Sequence, residues 1–367
     1  MEELLVIIGA ELILLVSIVV MTANQKRADA LGRNIDETDR PVASAGRQRP
    51  RPNREREKSG RWTLLARERA KKDPENRWPL HREISSVRVE TNDPVKQSPE
   101  SRARHVEGDH RRNTPDQGYR VRASLPQGVR IYAIGDIHGR ADLLSQLLSC
   151  IETDCRQRPV QRAITVFVGD YIDRGRHSRE VIDLLLRWRE RHEAVFLRGN
   201  HEIFLARFLS DSKTLGDWRQ WGGLETLLSY GLQPTINPGR DEQERLADQL
   251  ANSLPKEHFD FLESLELSYG CGDFFFVHAG IRPGVPIDEQ AEEDLLWIRE
   301  EFLAYEPPFE RMIVHGHTPV ETADFRSNRI NIDTGAFATG RLTCIVIEGG
   351  DVMQLPSAVR SDVFSAP

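Results

Sequence analysis

Five short polar motifs punctuate the chain, each at or near the end of an apolar run. They are Gly135-Asp136-Ile137-His138-Gly139, Gly169-Asp170-Tyr171-Ile172-Asp173-Arg174-Gly175, Gly199-Asn200-His201-Glu202, His278-Ala279-Gly280 and His315-Gly316-His317-Thr318. Asp136, His138, Asp170, Asn200, His278 and His317 form a mixed oxygen and nitrogen donor set without thiolate. Such a set suits Mn²⁺, Fe or Zn better than a purely oxygen-liganded Ca²⁺ or Mg²⁺. Two such ions about 3.5–4 Å apart can bind phosphate oxygens and ionise the water between them near neutral pH. That hydroxide can attack phosphorus in line, with no Ser or Cys nucleophile and no covalent intermediate. The leaving oxygen then needs a proton, and His201, next to the candidate ligand Asn200, is the natural donor. Asp173 is the candidate carboxylate to hold the other ring nitrogen. Arg174 can bind phosphate oxygens bidentately, and Arg299 could supply a second clamp.

The elements around these motifs read as an α/β fold. Val129–Ile134, 163–168 and 194–197 read as strands, and 140–155 and 178–191 as amphipathic helices, the first with Leu143, Leu144, Leu147, Leu148 and Ile151 on one face. Asp136, Asp170 and Asn200 fall just beyond the three strand ends, one βα unit apart. Parallel neighbouring strands would bring them to one rim, where ligands of open α/β sheets bind. Asp170, on the middle strand, could bridge two ions. Residues 203–265 read as a mostly helical cap beside the site. Strands at 267–269, 274–277, 312–314, 329–332 and 342–347 follow in close succession and suggest a largely antiparallel second sheet. Trp218 and Trp221 read as packing residues before they read as a substrate wall. Glu202 reads equally as a helix cap or a support for the ligands, Asp333 as a support or a turn residue, and His315 as structural.

Charge divides the chain. Residues 24–122 carry 25 Lys/Arg against 16 Asp/Glu, a net of +9, whereas 123–367 carry 25 against 38, a net of −13. The acidic part argues against a nucleic-acid surface. Four cysteines without a Cys-x-x-Cys pair point to reduced thiols. The domains expected are a transmembrane helix at 1–23, a basic disordered linker at 24–122, the catalytic domain at 123–356 and a tail at 357–367. The apolar run 4–23, interrupted by Glu11 and Ser17, is about the length of a membrane span. Lys26, Arg27 and Arg33 after it place the C-terminal side in the cytoplasm, so that residues 4–23 would contact inner-membrane lipid in a single pass.

The motifs Gly-Asp-x-His-Gly, Gly-Asp-x-x-Asp-Arg-Gly and Gly-Asn-His-Glu resemble those of the phosphoprotein phosphatase family of metallophosphoesterases over about residues 128–350. The segment Trp221–Leu227, with Ser229-Tyr230-Gly231 and Gly316-His317-Thr318-Pro319, is similar to the bacterial and phage-lambda-type serine/threonine protein phosphatases. The resemblance implies a calcineurin-like fold, a central β-sandwich flanked by helices with a helical cap. It implies one metal on Asp136, His138 and Asp170, and a second on Asp170, Asn200, His278 and His317, with Mn²⁺ foremost and Fe or Zn as alternatives. It further implies His201 and Asp173 as the acid pair and Arg174 and Arg299 on phosphate. The activity expected is removal of phosphate from phosphoserine or phosphothreonine, or from phosphotyrosine, of phosphoproteins and phosphopeptides. The alternatives are diadenosine polyphosphate hydrolysis, by likeness to related bacterial enzymes at the first and third motifs, and a non-catalytic membrane-anchored scaffold.

Overall fold

The computed structural model describes residues 88–90, 119–235 and 237–356. The apolar run 4–23, most of the basic segment and the tail from 357 lie outside the described residues. Among the described residues no helix is long and apolar enough to cross a membrane.

Two short strands come first, β1 (Arg88–Glu90) and β2 (Tyr119–Arg120). The chain then alternates β3 (Val129–Ile134), α1 (Ala141–Gln157), β4 (Arg162–Phe167), α2 (Ser178–Arg189) and β5 (Glu193–Phe196). A helical stretch follows: α3 (Asn200–Ser210), α4 (Leu215–Gln220), α5 (Gly223–Ser229), α6 (Arg240–Ser253) and α7 (Lys256–Glu263). The rest supplies β6 (Ser268–Cys271), β7 (Phe274–Val277), α8 (Glu292–Trp297), α9 (Glu300–Leu303), β8 (Met312–His315), β9 (Asp324–Phe325), β10 (Arg329–Asn331), α10 (Ala336–Thr339), β11 (Cys344–Glu348) and β12 (Asp351–Gln354).

The strands form two six-stranded sheets, ordered β2-β12-β11-β3-β4-β5 and β1-β6-β7-β8-β10-β9. Strand alternation explains why they stack. Ile131 and Ala133 of β3, Ile164 and Val166 of β4, and Val195 of β5 point to one side. There they meet Tyr269, Phe274, Phe276, Met312, Val314 and Ile330 of the other sheet in a single apolar layer. Because successive side chains of a strand face opposite ways, Tyr132, Ile134 and Phe167 emerge on the outer face. That face packs against α1, α2 and the helical stretch. Phe275, Val277 and Ile313 do the same on the far side of the second sheet, against Leu295 and Phe302. In α1 the buried residues Leu144, Leu147, Leu148 and Ile151 recur at helical spacing, each contributing roughly 1.5–3 kcal/mol when fully buried.

β3, β4 and β5 are parallel neighbours, as their spacing predicts. The second sheet departs from expectation. It is mixed, with β7–β8 and β8–β10 parallel and only β6–β7 and β9–β10 antiparallel. The residues between β7 and β8 carry α8 and α9, enough chain for the crossover that a parallel pair needs. β11 belongs to the first sheet instead, antiparallel to β3. The sheets also reach into the span expected as linker. β2 pairs with β12 at one edge, and β1 lies parallel to β6. Edge strands need only backbone hydrogen bonding, so polar composition does not exclude them.

Candidate metal centre

The ends of β3, β4, β5, β7 and β8 converge on one rim. Asp136 and His138 follow β3, Asp170 to Arg174 follow β4, and Asn200 to Glu202 form the first turn of α3 after β5. His278 follows β7, His317 follows β8, and Arg299 joins α8 to α9. Among the described residues the only non-glycine positions with positive φ are His138, Asp170, Asp173, Arg174 and His317, all on this rim. The left-handed region is sterically costly for such residues, so the surrounding packing must hold them there. Two glycines show how close that packing is. A Cβ on Gly199 would lie 2.1 Å from Asp170 Oδ1, and one on Gly316 would lie 2.0 Å from Asp136 Oδ1.

Asp170 is shared by two clusters of possible ligand atoms. Its carboxylate, His138 and His201 form one, and its carboxylate, His278 and His317 form the other, each within 4.8 Å. Oδ2 faces His138 Nε2 at 3.4 Å, while Oδ1 faces His278 Nε2 at 3.5 Å. The tautomers follow from the opposite side of each ring. His138 Nδ1 lies 2.9 Å from the Ile172 carbonyl, and His278 Nδ1 lies 2.9 Å from the Val168 carbonyl. A carbonyl only accepts, so both Nδ1 atoms carry the proton. Burial lowers the pKa of both imidazoles, with the charge of His201 second for His138 and Asp170 opposing for His278. The rings are therefore neutral, and each Nε2 presents a lone pair to a carboxylate oxygen. His278 Nε2 also meets Asn200 Oδ1 at 2.9 Å, again two acceptors face to face. Lone pairs turned on common points are what a cation satisfies.

Asp136 makes the same case. It is buried, its Oδ2 accepts the His317 amide at 3.0 Å, and its Oδ1 has no hydrogen-bond partner. Burial, then the Asp333 and Asp170 carboxylates, push its pKa well above the ordinary range. Burial also opposes ionisation of Asp170, but the charge of His201 leads the effects that outweigh it and hold that carboxyl below its usual range. The donor set fits divalent metal ions, with Asp170 grouped with His138 on one side and with His278 and His317 on the other.

His201, a member of the first cluster, is also held by a hydrogen-bond system of its own. Its Nδ1 is 2.8 Å from Asp173 Oδ2. Its Nε2 lies 3.7 Å from Asp170 Oδ2 and 3.2 Å from Arg174 Nη2. Burial disfavours the imidazolium, but the charge of Asp170 and the bond to Asp173 outweigh it and raise the pKa. The Asp173 carboxylate is itself held, since Trp218 Nε1–H donates to Oδ2 at 2.8 Å and Thr226 Oγ1–H to Oδ1 at 2.6 Å. Ser178 and Thr226 hydroxyls accept the Asp173 amide. Ser178 is thus both the first residue of α2 and a support for Asp173. On the opposite side Arg299 Nε–H donates to His317 Nε2 at 3.1 Å.

Residues left open by the sequence resolve here. Glu202 both caps α3 and holds the metal loop, accepting the amides of Gly199, Asp170 and Tyr171. Burial, then Asp170, raise its pKa to about 7. Asp333 accepts the Gly335 amide as a turn residue, yet its carboxylate helps raise the pKa of Asp136, and burial, with Asp170, raises its own to about 6. His315 joins neither cluster and packs on Phe302. The two tryptophans divide, Trp218 buried against Asp173 and Trp221 exposed beside His201. Sequence reasoning did not reach Thr226 or Phe337, whose ring lies under the Arg174 guanidinium, 4.8 Å from it. Thr226 falls within Trp221–Leu227, so the likeness of that segment to cap regions was the available signal.

The profile of the calcineurin-like phosphoesterase family matches residues 129–342. The asymmetrical bis(5′-nucleosyl)-tetraphosphatase PrpE of Anoxybacillus flavithermus is 28% identical over 244 residues, covering 62% of this chain and 94% of the relative. Its Bacillus cereus counterpart is 29% identical over 249 residues, with the same coverage. Among solved structures, one described provisionally as a diadenosine tetraphosphatase matches at 23% identity and a TM-score of 0.45, over 65% of this chain and 99% of that one.

Proposed function

Given that this chain belongs to the calcineurin-like phosphoesterase family, we propose that it is a metal-dependent hydrolase of dinucleoside polyphosphates. The carrying observation is the Asp170 carboxylate shared between two clusters of lone-pair donors. Divalent ions held there would supply Lewis-acid charge for phosphate oxygens and an ionised water. The protein's own residues do the remaining work. Arg174 and Arg299, on opposite sides, neutralise and orient the phosphate. His201 delivers a proton to the leaving oxygen from Nε2, and Asp173 fixes the ring by holding Nδ1. Glu202, through three amides, keeps the Asp170 loop and the Asn200 turn in register.

The choice of substrate rests on the relatives, which are named for bis(5′-nucleosyl) tetraphosphates and are covered by this chain over 94% of their length. A phosphoprotein phosphatase is the second reading, and one observation favours it. The buried Asp173–His201 pair is complete, and a proton donor matters most for a strongly basic alkoxide such as that of serine. Purified protein with Mn²⁺ is assayed on diadenosine tetraphosphate and on a phosphoserine peptide, with and without chelator. The proposal expects kcat/KM at least about tenfold higher on the dinucleotide, about 1.4 kcal/mol in transition-state binding. It expects ATP and AMP as products and loss of turnover on chelation. Preference for the peptide would overturn it in favour of the second reading.

A further inference from the structure

Four large hydrophobic side chains are exposed among the described residues: Trp221, Leu228, Phe337 and Met353. Trp221 and Phe337 border the metal centre, and they differ in what covers them. The Phe337 ring carries the Arg174 guanidinium on its face and sits 5.6 Å from the His138 ring. Trp221, 39% exposed, stacks on Phe204 with centroids 6.2 Å apart and planes 22° from parallel. Phe204 in turn meets Trp297 edge-on at 5.7 Å. The three rings form a shelf whose ends touch both clusters, with Trp221 6.3 Å from the His201 ring and Trp297 6.3 Å from the His317 ring.

The shelf is fixed to the phosphate-binding side of the site. The Gly222 carbonyl accepts the Arg174 amide at 3.1 Å. Gly222 has a φ of +92°, and a Cβ there would lie 2.6 Å from the Arg174 nitrogen. Trp221 is therefore held one residue from a backbone contact with the arginine proposed to hold phosphate. A solvated indole in this position has no packing purpose on its exposed side, since its inner contact with Phe204 is already made.

Building on the dinucleoside polyphosphate reading, we infer that Trp221 is the base-recognition residue of this enzyme: its indole stacks on the nucleobase adjoining the phosphate held by Arg174. Stacking on an aromatic ring is tolerant of base identity, because every base has a π-face. The shelf would thus select for a nucleoside end over a bare polyphosphate, with weak preference among bases.

The test compares wild type, Trp221→Ala and Trp221→Phe, all loaded with Mn²⁺, on diadenosine tetraphosphate and on inorganic tripolyphosphate. The loss of kcat/KM in Trp221→Ala should be roughly tenfold greater on the dinucleotide than on tripolyphosphate, as expected for one lost stack, and should appear mainly in KM. Trp221→Phe, which keeps a ring, should recover most of it. Calorimetric binding of AMP and of ribose 5-phosphate gives an independent readout, with AMP favoured by wild type and the preference lost in Trp221→Ala. If the dinucleotide is hydrolysed and Trp221→Ala loses equally on both substrates, the inference is overturned and the functional reading stands. If wild type does not hydrolyse the dinucleotide, the functional reading fails. The AMP to ribose 5-phosphate ratio then decides the inference alone, equal affinities overturning it.

Discussion

Replacing His201 by Asn tests the proton-donor role through the basicity of the leaving group. The change removes the ring whose Nε2 lies 3.7 Å from Asp170 Oδ2 and whose Nδ1 is held by Asp173 at 2.8 Å. General-acid catalysis contributes typically about 10²–10⁴-fold when the leaving group is a strong base. A serine alkoxide is one. The leaving group from a dinucleoside tetraphosphate is a terminal phosphate whose last ionisation lies near pKa 6, so the His201 proton assists its departure far less. His201→Asn should therefore lower kcat by about 10²-fold or more on a phosphoserine peptide, but by less than about tenfold on diadenosine tetraphosphate. The smaller effect on the dinucleotide combines the lost proton with the lost neighbour of Arg174 Nη2 at 3.2 Å. The assay is single-turnover hydrolysis with metal in excess, so that product release does not mask chemistry. Equal losses on the two substrates would refute the proton-donor role and would assign His201 to holding Arg174 or the metal instead.

Two further outcomes follow from buried titratable groups. Glu202→Gln substitutes an amide for a carboxylate that accepts three backbone N–H groups, leaving at least one of them without an acceptor. Denaturant unfolding should show a loss of about 1–3 kcal/mol, and retention of wild-type stability would contradict the shared cap. His315 is buried and its pKa is lowered to about 3 by that burial. The unfolded state then binds the extra proton between pH 3 and 6.5, so this contribution to stability is complete above pH 6.5 and falls as pH drops below it. Between pH 6.5 and 5 the wild type should lose about 2 kcal/mol more than His315→Asn, and parallel pH profiles would refute it.

The sequence makes the site more legible than the fold. Asp136, Asp170 and Asn200 are readable because each follows an apolar strand at βα spacing, and local pattern is enough to put them on one rim. The supports of Asp173 are not readable that way. Trp218 and Thr226 lie 45 and 53 residues away in sequence, and only the docking of the cap brings their donors to the carboxylate. Sheet membership fails for the same reason. The apolar pattern locates β11 but does not say that its partner is β3, more than two hundred residues earlier. Glu202 could not be assigned from sequence because its two roles use the same atoms, one carboxylate accepting both its own helix's amide and those of the neighbouring loop.

The five left-handed residues on the rim bear on how this domain can change. Each non-glycine residue in that conformation costs roughly 1–2 kcal/mol, so together they weigh about as much as the whole folding stability of an ordinary domain. Glycine at any of them would relieve strain and remove a side chain proposed to bind metal or phosphate or to orient the proton donor. Selection for thermal stability alone should drift toward such replacements and yield sturdier, inactive proteins. Activity and robustness oppose each other at His138, Asp170, Asp173, Arg174 and His317, and the rest of the sandwich must carry the difference.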